Sequence, residues 1–218
     1  NMNIDFSGKA ITVRSQSGPE TCIIDCQSQN GGFYFHNGEE SHSVLDGFTI
    51  KNGKTKMGGG INIVQSCPTI KNCIISNNKA TDGAGIAITE CSVLITNCNF
   101  IGNVSDNSGG ALYVDESRVI LNNCTFKKNQ SLYGGGLYST KGIDMVLSNC
   151  AFEENKGIRN GGGIYTSNSI SINDCTFTRN SVNGSGGGTY FNVCDGSVLN
   201  NCLFTEYLAG KGVGLFKI

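Results

Sequence analysis

The chain has 218 residues, with 16 Lys and Arg against 17 Asp and Glu, for a formal charge of −1. This length holds one sizeable core. The balanced charge without a basic stripe argues against a nucleic-acid partner, and the short apolar runs argue against membrane insertion by this segment. Glycine is abundant at 31, yet its spacing lacks the strict three-residue period of collagen.

In chain order, MNIDFSGKAITVRS (residues 2–15) already alternates apolar and polar positions as a strand does. It lacks the charged, apolar and cleavage segments of a signal peptide. The last stretch, GVGLFKI (212–218), is also strand-like, so the expectation is one domain over 1–218, incomplete at both ends. An early loop, FHNGEESHS (35–43), carries His36, His42, Glu39 and Glu40, a weak candidate metal group in a polar loop.

From there the chain repeats. The first apolar residues after each glycine cluster are Phe33, Ile61, Ile86, Leu112, Leu137, Ile164, Thr189 and Leu215, at intervals of 28, 25, 26, 25, 27, 25 and 26. A second series, Cys73, Cys98, Cys124, Cys150, Cys175 and Cys202, runs in phase at 25, 26, 26, 25 and 27. Two residues after each cysteine stands Ile75, Phe100, Phe126, Phe152, Phe177 or Phe204. Three further on stands Asn78, Asn103, Asn129, Asn155, Asn180 or Tyr207. Just before each cysteine stands Asn72, Asn97, Asn123, Asn149, Asp174 or Asn201.

Within a unit the alternation has the period of strands, and the long amphipathic stretches of helical solenoids are missing. The predicted fold is all-β: a right-handed single-stranded parallel β-helix of about eight coils, about 26 residues each, with three short strands per coil. Like residues then stack every ~4.8 Å. The predicted core columns are Phe33–Ile61–Ile86–Leu112–Leu137–Ile164 and Ile70–Ile95–Leu121–Leu147–Ile172–Leu199, completed by the Cys and Phe series. Glycine clusters supply the sharp turn before the first strand, and the asparagines sit at bends, bonding along the axis.

The unit NCTFKKNQSLYGGGLY resembles the Phe-x-x-Asn and Gly-Gly-Ala-Ile repeats of the polymorphic outer-membrane-protein family. It is also similar to bacterial right-handed β-helix repeats of the pectate-lyase-like superfamily, in which a segment like SVLDGFTIKNG (43–53) opens the repeats. The resemblance covers nearly the whole chain. It implies the fold, while the activities found on that fold range from lyases, hydrolases and epimerases to adhesins.

Eleven cysteines are present. The six in register are expected to be buried thiols, since parallel side chains do not aim their sulfurs at one another. Cys67 and Cys91 lie in corresponding loops where pairing is conceivable, although their spacing differs by one residue. Cys22 and Cys26 are too isolated to specify zinc.

The outward column is Tyr34, Asn62, Ala87, Tyr113, Tyr138, Tyr165, Tyr190 and Phe216. Tyr113, Tyr138, Tyr165 and Tyr190 form an expected exposed ladder. It is either plain stacking along the sheet or a platform for sugar rings or a partner chain. The next loop places Glu90 and Glu116 in one column, with Asp115 beside them and Lys141 one coil on. These are the weak catalytic and metal candidates; calcium is the cofactor they would take, with Arg118 the nearest base. Lys128, Glu154, Arg179 and Glu206 alternate in sign along another column and read as a surface ladder.

Two functions remain open from the residues. One is a secreted or cell-surface structural and adhesive module, non-catalytic, associating end to end through open strand edges. The other is a polysaccharide-binding or polysaccharide-cleaving β-helix domain. The expected partners are accordingly a polysaccharide or another copy of the chain, outside the cell or at its surface.

Overall fold

Short apolar–polar–apolar stretches separated by single turn-forming residues favour strands that cannot grow long. In a computed structural model, which describes residues 3–141, 144–192, 194, 196–212 and 214–217, they build a parallel β-solenoid. Three sheets each contain eight strands, separated by seven turns of the coil, and a fourth contains five. Every strand pairs in parallel with its counterpart one turn away.

One turn illustrates the whole. Leu112–Asp115 belongs to the first sheet, Arg118–Asn122 to the second, Thr125–Lys127 to the third and Gln130–Tyr133 to the fourth. Each corner is made by one residue with positive φ: Glu116 (48°), Asn123 (53°), Lys128 (56°) and Gly134 (63°). Asparagine tolerates this left-handed conformation, whereas lysine and glutamate adopt it at a cost of about 1 kcal/mol or more. The alternating charges of Lys128, Glu154, Arg179 and Glu206 therefore stand on one column of left-handed corners. Lys128–Glu154, Arg179–Glu154 and Arg179–Glu206 approach to 3.6, 3.5 and 3.5 Å across successive rungs.

The predicted columns are present. Leu112 pairs with Ile86 and Leu137, and Leu121 pairs with Ile95 and Leu147. The rings of Phe100, Phe126, Phe152, Phe177 and Phe204 stack at 4.7, 4.5, 4.9 and 4.6 Å, within 8° of parallel. Beside them Cys73, Cys98, Cys124, Cys150 and Cys175 are buried, each thiol donating to the carbonyl two residues back at 3.1–3.3 Å. Burial pushes the Cys98 thiol well above its ordinary pKa, as expected of an inert core residue.

Asn78, Asn103, Asn129, Asn155 and Asn180 are fully buried. The Nδ2 of Asn103 donates to Asn129 Oδ1 (3.0 Å) and to the Ile75 carbonyl (2.8 Å), while its backbone N–H donates to the same Asn129 Oδ1 (3.0 Å). Each inner carboxamide thus accepts two bonds and donates two. Asn129 accepts from Asn103 N–H and Nδ2 and donates to the Phe100 carbonyl and Asn155 Oδ1, four bonds that a hydroxyl, with one hydrogen, or a carboxylate, with none, cannot make. Tyr207 closes the column by donating its hydroxyl to the Phe177 carbonyl, as the asparagines do to theirs.

Two features differ from the sequence expectation. Five rungs carry a fourth strand between the buried asparagine and the glycine cluster. The glycine cluster also has two jobs. Gly134 has φ +63°, and a Cβ there would sit 2.1 Å from the Leu137 carbonyl oxygen. The next residue, Gly135, is required by close approach, since its Cβ would lie 2.4 Å from the Gly162 oxygen one rung on.

Candidate functional site

The first sheet carries its apolar residues inward and its tyrosines outward because neighbouring strand positions face opposite sides. Tyr113, Tyr138, Tyr165 and Tyr190 stack at 5.6, 4.9 and 5.1 Å, with planes 3°, 11° and 12° apart. The ladder is not openly exposed, as the sequence suggested. Tyr113, Tyr138 and Tyr165 are half-buried, and Tyr190 is only 7% exposed. The reason is the glycine turn, which carries the fourth strand back against this face. A Cβ on Gly83 would come within 2.8 Å of Tyr113 Cβ, and the Tyr133 ring meets Tyr165 edge-on at 5.7 Å. Arg159 lies over the Tyr133 ring at 5.7 Å and donates to its hydroxyl at 3.0 Å. The Phe216 side chain, last in the predicted column, lies outside the described residues.

Desolvation, followed by the nearby Asp115 and Asp82 carboxylates, pushes the Tyr113 phenol up to about 12. The Tyr165 phenol rises to about 12 as well, through burial and then through Tyr138 and Tyr190. These phenols stay neutral beside a row of ring faces. Asp115 is the polar counterpart: its Oδ1 is shielded from solvent and has no hydrogen-bond partner. The neighbouring Asp82 is satisfied, accepting from Asn107 Nδ2 (2.9 Å) and the Ser108 N–H (3.0 Å).

Where Asn62 and Ala87 interrupt the tyrosines, the same face opens into a cavity of about 330 Å³ lined by Tyr34, Thr55, Lys56, Met57 and Asn62. That is at the small end of ligand-sized clefts. Tyr34 is occupied with His36, the two rings stacked at 3.9 Å.

The acidic candidates separate rather than converge. Glu90 and Glu116 are exposed corner residues with φ of 57° and 48°. Glu90 accepts from Gln65 Nε2 at 2.7 Å, and Glu116 pairs with Lys141 Nζ at 3.2 Å. Asp115 belongs instead to the tyrosine face. In the early loop Glu39 is buried, and its carboxylate accepts from the backbone N–H groups of Gly8 (2.8 Å) and Asn37 (3.0 Å). Burial alone would raise its pKa; these hydrogen bonds outweigh it and hold the group below the ordinary carboxylate range. Glu39 thus holds the loop, and its oxygens are taken. Among the described residues no group of three or more His, Cys, Asp or Glu is placed to hold a metal ion.

All eleven cysteines are free thiols, including Cys67 and Cys91. Sequence reasoning missed Tyr133 and Asp82. A signal existed, since both directly precede a glycine cluster at equivalent positions of their repeats, but the fourth strand that brings them to this face was not foreseen.

Comparison with known families completes the assignment. Residues 59–215 match the model for the right-handed β-helix region. The chain belongs to the right-handed β-helix family. No curated protein and no solved structure matches it. The β-helix here has no helix among its described residues that is long and apolar enough to cross a membrane.

Proposed function

We propose that this β-helix is a structural and adhesive module of a secreted or cell-surface protein, non-catalytic, whose partner is a polysaccharide or a second copy of itself. The observation that carries this reading is the stacked tyrosine ladder on a core whose columns are satisfied rung by rung. Such a core sets the rings at a fixed pitch, and a row of aromatic faces with neutral phenols suits sugar rings or an apolar partner surface. Among the described residues, strands Thr12–Arg14 and Val198–Asn200 pair on one side only, which supports contact between copies through strand edges. The test is a glycan array together with sedimentation over a range of concentrations. Binding or self-association that is weakened by Tyr138→Ala or Tyr165→Ala supports the reading; a monomer with no glycan hits removes it.

A second reading, a polysaccharide-cleaving domain, is favoured by one observation: the unpartnered Asp115 oxygen beside Tyr113 and Tyr138. Calcium is the cofactor proposed with it, met by Asp115, since Glu90 and Glu116 are engaged by Gln65 and Lys141. Release of products from an acidic polysaccharide in the presence of calcium, abolished by Asp115→Asn, would promote this reading over the first.

A further inference from the structure

Away from the tyrosine face, the corner between the first and second sheets brings two thiols together. The Cys91 thiol lies close enough to Cys67 to be perturbed by it, and the N–H of the next residue, Ser92, donates to Cys67 Sγ at 3.2 Å. Cys67 is half-buried and lines a cavity of about 180 Å³ with Ser41, Thr69, Val93, Leu94 and Arg118. The stacked core thiols also perturb one another in pairs, but they are shut off from solvent: Cys98, Cys124 and Cys150 are at most 2% exposed and bond to carbonyls.

Register explains the contact. Thr69 pairs with Leu94, so Cys67 stands opposite Ser92 and one position away from Cys91. Rungs ~4.8 Å apart and a step of ~3.3 Å along the strand put the two Cα atoms roughly 5.8 Å apart, in the middle of the disulfide range. The core cysteines lack that offset, and their side chains run parallel. Burial, followed by the adjacent Cys67, pushes the Cys91 thiol up to about 12, so Cys91 keeps its proton. Cys67 is the sulfur that lines the cavity, together with Arg118, and it accepts a backbone N–H.

We propose that Cys67 and Cys91 form a redox-modification site whose oxidant is a hydroperoxide. The Cys67 thiolate attacks the peroxide; the O–O bond breaks, hydroxide or alkoxide leaves, and Cys67 becomes a sulfenic acid. Cys91 then gives up its proton and attacks the Cys67 sulfur. The S–S bond forms, the S–O bond breaks and water leaves. Two thiols lose two electrons in all, and the peroxide is reduced to water or to an alcohol and water. The product is a covalent staple between adjacent rungs. This inference is independent of what the tyrosine face binds.

The test is peptide mapping by mass spectrometry on the purified chain. In the reduced protein, iodoacetamide should label Cys67 at least about tenfold faster than Cys98 or Cys124. Hydrogen peroxide should produce a Cys67–Cys91 linked peptide, reversed by dithiothreitol, with nine of the eleven thiols remaining. Cys91→Ser should stop at a Cys67 sulfenic acid that dimedone traps, and Cys67→Ser should leave Cys91 unlinked, both with unchanged far-ultraviolet dichroism. The proposal is overturned if Cys67 is labelled no faster than the core thiols, if both cysteines remain alkylatable after peroxide, or if Cys67 is linked to another cysteine.

Discussion

Two aromatic columns climb this molecule, Phe100 to Phe204 inside and Tyr113 to Tyr190 outside, both locked to the same rung spacing. Inside, ring centroids stay between 4.5 and 4.9 Å; outside they range from 4.9 to 5.6 Å. Phe100, Phe126, Phe152 and Phe177 are fully buried, whereas Tyr113, Tyr138 and Tyr165 are half-buried. Register alone lines rings up. Close contact requires neighbours on every side, which only the interior supplies.

The comparison predicts a graded set of losses. The largest is Phe126→Ala, which opens a hole between Phe100 and Phe152 and should cost about 3–5 kcal/mol in chemical denaturation. Next is Asn129→Ala. It strips the acceptor from Asn103 and the donor from the Phe100 carbonyl, so the buried groups left unpaired should cost about 3 kcal/mol. Thr189→Val should go the other way. Thr189 is fully buried in the inner column of the tyrosine sheet, its hydroxyl has no partner, and the isosteric apolar residue should raise stability by about 1 kcal/mol. Tyr138→Ala should have the smallest effect, below about 1 kcal/mol, as expected of cross-strand stacking at a half-covered face. A Tyr138→Ala loss as large as that of Phe126→Ala would erase the distinction between the two columns. A Thr189→Val loss would mean that its hydroxyl is satisfied in solution.

Much of the fold could be read from the residues. The six-member Cys and Phe series, one turn apart, named each residue's neighbours above and below, and the pairing of Phe126 with Phe152 and Thr125 with Ala151 follows it. The buried Asn column was legible as a ladder, though its burial was not, because asparagine at a bend also suits solvent. Less of the candidate site could be read. Tyr190 alternates like its half-buried neighbours, yet it is only 7% exposed, with Gly186 of the glycine turn close to its Cβ. Glu90, Asp115 and Glu116 occupy neighbouring positions of the repeat and differ in fate, because two are left-handed corners and the third lies on the tyrosine sheet. Ser139 and Thr166 continue a column that runs through Phe35, Ile63, Ile88 and Val114. Asn168 satisfies them from a nearby turn that no periodicity reveals.

The order of residues by itself determined the contacts along the axis. In a parallel ladder each side chain rests on the one a period away, so the period is the contact map in that direction. The folded chain alone decided the contacts around the axis. Those depend on how four left-handed corners angle the strands, and on how the fourth strand folds over the tyrosines. Corner angles bring together residues whose separation carries no repeat, and so it is there that Tyr133 meets Tyr165.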